Sequence, residues 1–346
     1  SGCIAQAIAK ATRAHVVAAD ISESALKTAA QNLAGLNAET VLSDVVVYGA
    51  DPRHIVDEAI AKVDRNYPAH GTMSTWFYRE TVQKGRRYIG VSEAVMELFK
   101  TAYAGRSVIG DRVRMLKGRQ LVSQRSRDTL SVKVAGGPNL ALEVDIAKNP
   151  DALLDPVYLN DYRFEMAGTA ELDGRMQYVI AFRPQRRTTY PVFAGTLYID
   201  RERLAITRAE FEMDLTDKEL AVRSVLRKKP SGLRFNPLKI AFVIGYRLDG
   251  DKSYLNYVQN AIRAKCDWRK RLFTSVYSTY TEMVAVDRDD APIAPINRKE
   301  AFRFGQIFSD LVDDYGDANY WAGYNVIPPT ESLEHAVERL KKESRP

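Results

Sequence analysis

Long runs of alternating polar and apolar residues constrain the fold of this 346-residue chain more than any other feature of its sequence. Successive side chains of a β-strand point to opposite faces, so such alternation predicts strands with one apolar face. The clearest runs are residues 75–82 (TWFYRETV) and 87–100 (RYIGVSEAVMELFK). Further runs are residues 107–116, 130–134, 162–171, 176–182, 194–200, 204–214, 221–228, 240–248, 253–266 and 272–286.

Turn residues indicate how these strands are connected. Asp173-Gly174 and Asp249-Gly250 each separate two of the runs, and Asp-Gly pairs in that position are strong signals for antiparallel hairpins. An antiparallel sheet with one apolar face needs that face covered. We therefore expect an α+β fold for residues 45–346: a curved, mainly antiparallel sheet, or half-barrel, with a few covering helices.

Helical signals are few. Asp51 and Pro52 are the residue types favoured at a helix N-cap and at the first helical position, and the helix that they open should end before Asn66. A helical break is expected at residues 149–160. Residues 330–342 have an apolar stripe at helical spacing, which predicts an amphipathic helix docked on the sheet.

The apolar face of the sheet is rich in aromatic residues. Half-barrels with such a face either pack shut or hold an apolar ligand, and the sequence leaves both outcomes open. The candidates for lining a ligand pocket are Trp76, Tyr78, Tyr88, Phe164, Tyr178, Phe182, Phe211 and Phe242.

Composition argues against several kinds of function. The 50 Lys and Arg and 44 Asp and Glu are interspersed and leave a net charge of only +6, which is a weak signal for nucleic-acid binding. The four histidines show no spacing typical of a metal site, and the two cysteines match no zinc or redox motif. No apolar stretch is long enough for a transmembrane helix, and residues 4–9 lack the basic flank of a signal peptide.

Residues 1–44 differ in character from the rest of the chain. An apolar strand at 15–19 ends in Asp20, and a helix should follow at 21–32, which gives the order of a partial βαβ, Rossmann-like segment. An acidic residue at the end of such a strand is placed to bind ribose hydroxyls of a nucleotide. Ser1 begins the chain within this motif, which suggests a truncated or joined sequence.

The segments SGCIA (1–5) and DIS (20–22), with Asn32, resemble the release-factor glutamine methyltransferases. This resemblance implies that Gly2 and Asp20 would contact S-adenosylmethionine. Neither the earlier glycines of that family's cofactor loop nor its Asn-Pro-Pro-Tyr motif occurs in the chain. A lone glycine cannot form the Gly-rich turn that the cofactor needs.

Residues 45–346 resemble a different family. The segments that carry the resemblance include FYRETVQKGRRYIGVSEAV (77–95), DRVRMLKGR (111–119), GTLYID (195–200) and KCDWRKRLF (265–273). They are similar to the carboxypeptidase-like regulatory domain-containing proteins of Bacteroidetes cell envelopes. That resemblance implies a periplasmic or outer-membrane location and assigns no catalytic residue.

The order of elements in the same region is also similar to the periplasmic lipoprotein carriers and the outer-membrane lipoprotein-sorting proteins. Those proteins form a half-barrel whose apolar cavity takes acyl chains. We therefore predict a non-enzymatic envelope module that binds a lipid, a lipoprotein or an envelope protein partner, without a cofactor or metal and without nucleic acid. The alternative is an S-adenosylmethionine-dependent methyltransferase that acts through residues 1–44.

Overall fold

The computed structural model describes residues 16–20, 38–42, 51–123, 133–134, 137–228, 232–269, 274–289, 293–303, 306, 308–316 and 331–343. The chain divides into two compact units, Ser1–Ile55 and Val56–Pro346. The division at residue 44 that the sequence suggests stays a prediction.

In the first unit, β1 (Val16–Asp20) and β2 (Ala38–Leu42) pair in parallel, with Val16 opposite Ala38. Strand β1 lies where the sequence predicts a strand. Parallel strands need a crossover connection, and the helix expected at residues 21–32 falls in it, outside the described residues. The complete βαβ unit therefore stays a prediction.

The second unit is built on one open sheet of ten strands, and all of its strand pairs are antiparallel. This confirms the mainly antiparallel sheet. Its order is β5-β4-β3-β14-β13-β12-β10-β9-β8-β7. The strands are β3 (Thr72–Lys84), β4 (Arg87–Lys100), β5 (Arg112–Val122), β7 (Tyr162–Leu172), β8 (Arg175–Pro184), β9 (Phe193–Asp200), β10 (Ile206–Met213), β12 (Leu233–Asp249), β13 (Lys252–Trp268) and β14 (Ser275–Asp289).

Short elements accompany the sheet. A separate pair is formed by β6 (Lys133–Val134) and β11 (Leu226–Lys228). None of the helices in the described part of the chain combines the length and the apolar content that a membrane crossing requires. The helices are α1 (Pro52–Ala61), α2 (Val63–Asn66), α3 (Leu140–Glu143), α4 (Lys218–Val225), α5 (Phe308–Leu311) and α6 (Glu331–Glu343).

One predicted strand is mostly helical, and the strand predicted at 107–116 begins only at Arg112. Residues 221–228 were expected to be a strand, but most of them belong to helix α4. The side chain of Asp217 accepts a hydrogen bond of 2.9 Å from the backbone N–H of Leu220, which caps the helix. Ala221 and Val225, four residues apart, are then buried on one helix face. The cap and this spacing outweigh the short alternation.

The order of the strands forces a long connection across the sheet. Along the chain, β7 is the next strand of the main sheet after β5, but the two strands lie at opposite edges of that sheet. The chain between them must therefore pass over one face. We call its described part, residues 137–161, the crossing segment. Its apolar residues are almost all buried, which shows that it packs as a cover rather than as a surface loop: Leu140, Ala141, Leu142, Val144, Ile146, Ala147, Leu153, Leu154 and Leu159.

The two faces of the sheet have different covers. The face under the crossing segment, here called the inner face, carries Phe211 and Phe242, which are paired across β10 and β12. Helix α6 packs on the outer face, where Leu333 and Leu340 form one apolar cluster with Val91 of β4. The docked C-terminal helix that the sequence predicts is therefore present.

A buried ionic cluster fixes the crossing segment to the end of β4. Asp145 lies 2.8 Å from the ammonium group of Lys100, and it accepts hydrogen bonds of 2.7 and 2.8 Å from the hydroxyls of Tyr103 and Tyr246. Burial alone would raise the pKa of Asp145, but the charge of Lys100 and these hydrogen bonds lower it. Asp145 therefore stays ionised inside the protein.

A second ion pair extends this cluster. The ammonium group of Lys148 donates a 2.7 Å hydrogen bond to Asp111, and both side chains are fully buried. Lys148 also donates to the hydroxyl of Thr101 at 2.9 Å. The neighbouring Arg106 donates to the carbonyl oxygens of Ile146, Ala147 and Leu154 at 2.9 to 3.1 Å. Polar backbone groups of the crossing segment thus have partners despite their burial.

Substituting Lys148 with Met should destabilise the second unit by about 3 kcal/mol, because removing one partner of a buried pair leaves the other charge unpaired. Chemical denaturation with circular dichroism measures this loss. Lys239→Met is the matched control, since Lys239 pairs with Glu212 where both side chains are about half exposed, and no clear loss is expected. Equal stability of the two variants would contradict the structural role of Lys148.

Lys148 should also leave a signature in the pH dependence of stability. Burial, together with the charge of Lys100, lowers the pKa of Lys148 to about 8, whereas an unfolded lysine titrates near 10.4. Between these values the unfolded chain binds more protons, so the contribution of Lys148 to stability rises with pH. As the pH rises through this range, the unfolding free energy of the wild type should increase relative to that of Lys148→Met. Parallel pH curves would contradict the lowered pKa.

Candidate ligand-binding cavity

An apolar cavity of about 340 Å³ lies between the crossing segment and the inner face of the sheet. Its floor is formed by side chains of β10, β12 and β13, including Phe211, Phe242 and Ile262. Leu140 and Val144 of the crossing segment form the opposite wall, and Val225 of α4 closes one side. Most of the lining is apolar, so the cavity suits a hydrocarbon group.

The register of the strands brings the aromatic floor together. Phe211 and Phe242 face each other across β10 and β12, and their rings stack with centroids 5.2 Å apart. The ring of Phe193 contacts Phe211 edge-on at 5.3 Å. Such geometries are the favoured ones for aromatic pairs, so these rings form a packed surface rather than loose side chains.

Gly195 makes room for this floor. It pairs with Phe211 on one side and Phe182 on the other, within a row of aromatic residues on the inner face. A Cβ atom at this position would lie 2.6 Å from the Cα of Phe211. Only glycine therefore allows β9 and β10 to approach so closely beneath the rings.

The row changes from apolar to polar along the sheet. Across successive strands, the residues paired beyond Phe242 are Asn260, Thr281 and Glu80. The amide of Asn260 donates a 3.2 Å hydrogen bond to the carbonyl of Ala241. An apolar ligand is therefore favoured only over the β10 and β12 half of the inner face.

Tyrosines and carboxylates surround the cavity. Tyr158 and Tyr190 both line it, and their rings contact each other at 4.4 Å. The hydroxyl of Tyr190 is buried and has no hydrogen-bond partner among the described residues. The hydroxyl of Tyr162 accepts a 3.3 Å hydrogen bond from the backbone N–H of Phe193, and burial raises the pKa of Tyr162 to about 12. The hydroxyl of Tyr162 is therefore neutral at ordinary pH.

The predicted pocket residues fall into several groups. Phe211 and Phe242 line the cavity. Phe164 and Phe182 lie in the same row, with ring centroids 6.3 Å apart, but do not line it. Tyr178 shares their face, where the guanidinium of Arg201 lies 5.3 Å from its ring.

The remaining three candidates lie away from the cavity. Trp76 and Tyr78 are completely buried, and the ring of Tyr78 packs edge-on against Phe308 at 4.7 Å, so this part of the face is a core. Tyr88 packs with Val91 under α6 on the outer face. The β-bulge in β4 beside Tyr88 interrupts the alternation, so Tyr88 lies on the other face from the one that its sequence position predicts.

For the alternative cofactor site, Gly2 lies outside the described residues. Asp20 is the last residue of β1, as expected for a residue at the carboxyl end of that strand. Its role as a cofactor ligand stays a prediction.

The residues of the cavity wall were not predicted, because alternation identifies strands and carries no information on a loop that covers them. Tyr158 belongs to the crossing segment, and Tyr190 precedes β9. The buried apolar residues at 140–154 were the available signal: a run this apolar outside a strand indicates a covering segment.

The described residues contain no cluster of three or more His, Cys, Asp or Glu side chains that could hold a metal ion. Burial raises the pKa of the Cys266 thiol to about 11, which keeps it protonated and unreactive.

No protein-family model matches the chain, and no curated protein matches it. The resemblances to the Bacteroidetes family and to the methyltransferases therefore stay predictions. Solved structures do show a likeness to this chain. A DUF1329 family protein from Desulfovibrio piger gives a TM-score of 0.31 at 11% identity, covering 71% of this chain and 96% of that one.

Two further solved structures belong to the class that the order of elements resembles. A putative outer membrane lipoprotein-sorting protein domain from Vibrio parahaemolyticus gives a TM-score of 0.31 at 11% identity, covering 70% of this chain and 95% of that one. A LolA superfamily protein from Nitrosomonas europaea gives 0.26 at 12% identity, covering 74% and 99%. Likenesses with such low TM-scores and identities do not indicate a function, which must be argued from the residues of the cavity.

Gly195→Ala should destabilise the protein by about 2 kcal/mol, because the added methyl group meets backbone atoms that cannot turn away. Denaturant unfolding measures the loss. Gly90→Ala in β4 is the matched control, since its Cβ would lie 3.7 Å from the nearest atom, an ordinary contact. Unchanged stability of Gly195→Ala would show that β9 and β10 are not held as closely as described.

Proposed function

We propose that residues 56–346 form a non-enzymatic binding module whose cavity takes an apolar chain, such as the acyl chain of a lipid or lipoprotein. The observation that carries this proposal is the cavity of about 340 Å³ floored by Phe211, Phe242 and Ile262. Ligand pockets typically have volumes of about 300 to 1,000 Å³ and mostly apolar walls with a few polar groups. This cavity has both properties.

The rigidity of the cavity supports binding over collapse. Its floor belongs to strands paired on both sides, and its cover is held by the buried pairs of Lys100 with Asp145 and of Lys148 with Asp111. A preformed cavity spares the ligand the entropic loss of ordering the protein. An apolar chain would then gain the free energy of leaving water, about 0.8 kcal/mol for each buried CH₂ group.

The wider setting of this function is also part of the proposal. The similarity of residues 45–346 to envelope proteins and of its element order to lipoprotein carriers favours a location in the periplasm or at the outer membrane. In that compartment, the natural occupant would be an acyl chain presented by a lipid, a lipoprotein or a protein partner. The half-barrel curvature of the sheet belongs to this proposal as well.

Filling the cavity should abolish binding. Ser224 of α4 lines the cavity, whereas its neighbour Arg223 is exposed. The neutral apolar dye N-phenylnaphthylamine should bind the wild type with increased fluorescence. Ser224→Phe should weaken that binding by about tenfold or more, equivalent to about 1.4 kcal/mol, because its ring would occupy the ligand volume.

Arg223→Phe is the matched control, since it adds the same ring to the solvent side of the same helix and should bind like the wild type. Ser224→Leu, a smaller insertion, should give an intermediate affinity and guards against a folding defect in Ser224→Phe. Circular dichroism checks that each variant is folded. Wild-type protein that binds no apolar dye, or folded Ser224 variants that bind it unchanged, would refute the proposal.

A further inference from the structure

We propose that the cavity selects amphiphiles with a cationic, ammonium-type headgroup, and this inference rests on the function proposed above. The apolar chain would lie over Phe211 and Phe242, and the headgroup would lie at the mouth formed by Asp151, Asp155, Tyr158 and Tyr190. Charge, ring geometry and exposure each support this orientation.

The charged residues that line the cavity are all acidic. Its lining includes Glu143, Asp151 and Asp155, and no lysine or arginine of the described chain contributes to it. The whole protein carries a net charge of +6, so this local acidity runs against the general charge. A headgroup at this position meets carboxylates within a partly desolvated setting, where a positive charge is favoured and a negative one is repelled.

Two tyrosine rings add a second preference for a cation. Tyr158 and Tyr190 line the cavity with ring centroids 4.4 Å apart and planes tilted by 41°. The face of an aromatic ring attracts cations, and aromatic groups combined with carboxylates are suited to ammonium groups. The buried hydroxyl oxygen of Tyr190 has no hydrogen-bond partner among the described residues, and its lone pairs add to the negative potential that a cation meets.

Exposure distinguishes the mouth from the floor. Phe211 and Ile262 are 3% and 5% exposed, whereas Tyr158 is 42% exposed. Asp151 is also exposed. An amphiphile can therefore bury its chain against the rings of the floor while its headgroup stays near water, which avoids the desolvation of a full charge.

Arg106, in a neighbouring loop, interacts electrostatically with Asp155. Its guanidinium donates to the carbonyl oxygens of Ile146, Ala147 and Leu154, and it does not line the cavity. One oxygen of Asp155 also accepts a 2.9 Å hydrogen bond from the backbone N–H of Val157. Because the charge of Asp155 is partly offset in this way, the test changes Asp151 and Asp155 together.

The test compares three ligands with the same alkyl chain below their micelle concentrations: dodecyltrimethylammonium, dodecyl sulfate and dodecanol. Each is titrated against bound N-phenylnaphthylamine. The wild type should bind dodecyltrimethylammonium about tenfold more tightly than dodecyl sulfate. In Asp151→Asn/Asp155→Asn this ratio should fall several-fold, while dodecanol binds as in the wild type.

Glu171→Gln/Glu334→Gln is the matched control, because it removes the same net charge at two exposed residues outside the cavity lining. It should keep the wild-type ratio. Tyr190→Leu keeps the apolar area but removes the ring, and it should weaken ammonium binding more than dodecanol binding.

The outcomes separate the two proposals. A wild type that binds none of the three ligands overturns the proposed function itself. A wild type that binds dodecanol but prefers dodecyl sulfate, or shows no preference, overturns only the headgroup inference. An ammonium preference that persists unchanged in Asp151→Asn/Asp155→Asn overturns it too, since the preference would then arise elsewhere on the protein.

Discussion

The passage of the crossing segment over the inner face is the constraint on which the second unit depends. Because β5 and β7 occupy opposite edges of the sheet, the chain between them must cover one face. A covering segment without long helices buries many backbone polar groups, and each needs a partner. Arg106 and the hydroxyl of Tyr246 provide such partners, and the ion pairs of Asp145 and Asp111 fix the segment in place.

The cavity is a consequence of this arrangement. The ionic cluster holds the crossing segment near the ends of β4 and β12, while phenylalanines floor the part of the inner face on β10 and β12. A buried charged cluster is seldom the most stabilising solution for a core, since apolar replacements often do as well. Its contribution here is geometric: it ties the crossing segment, whose Leu140 and Val144 line the cavity, to β4 and β12.

The change from apolar to polar residues along the inner face determines where the cavity lies. Phenylalanines occupy the row on β10 and β12, whereas Asn260, Thr281 and Glu80 continue it across β13, β14 and β3. The polar half is covered by the protein's own residues, such as Phe308 of α5 against Tyr78. The apolar half is left with a cavity, whose rim carries the tyrosines and carboxylates.

The sequence predicted the sheet well because alternation reports directly on strands with two different faces. It located β4 to the residue and both Asp-Gly hairpins. Two of the pocket candidates, Phe211 and Phe242, line the cavity, and their role in binding a ligand stays a prediction. The prediction failed at two places where another interaction overrides the alternation. Asp217 caps helix α4 where a strand was predicted, and the bulge beside Tyr88 moves that side chain to the other face of the sheet. Pairing between distant strands leaves no local pattern, so the strand order that sends the chain across the sheet could not be predicted.

The most direct test of this account is a crystal structure of the protein soaked with a terminally brominated alkane, with anomalous scattering used to locate the bromine. The account predicts a bromine peak within the cavity, enclosed by Phe211, Phe242 and Val144. Anomalous peaks confined to the outer surface, or a crossing segment packed directly onto the phenylalanines with no space between, would contradict it.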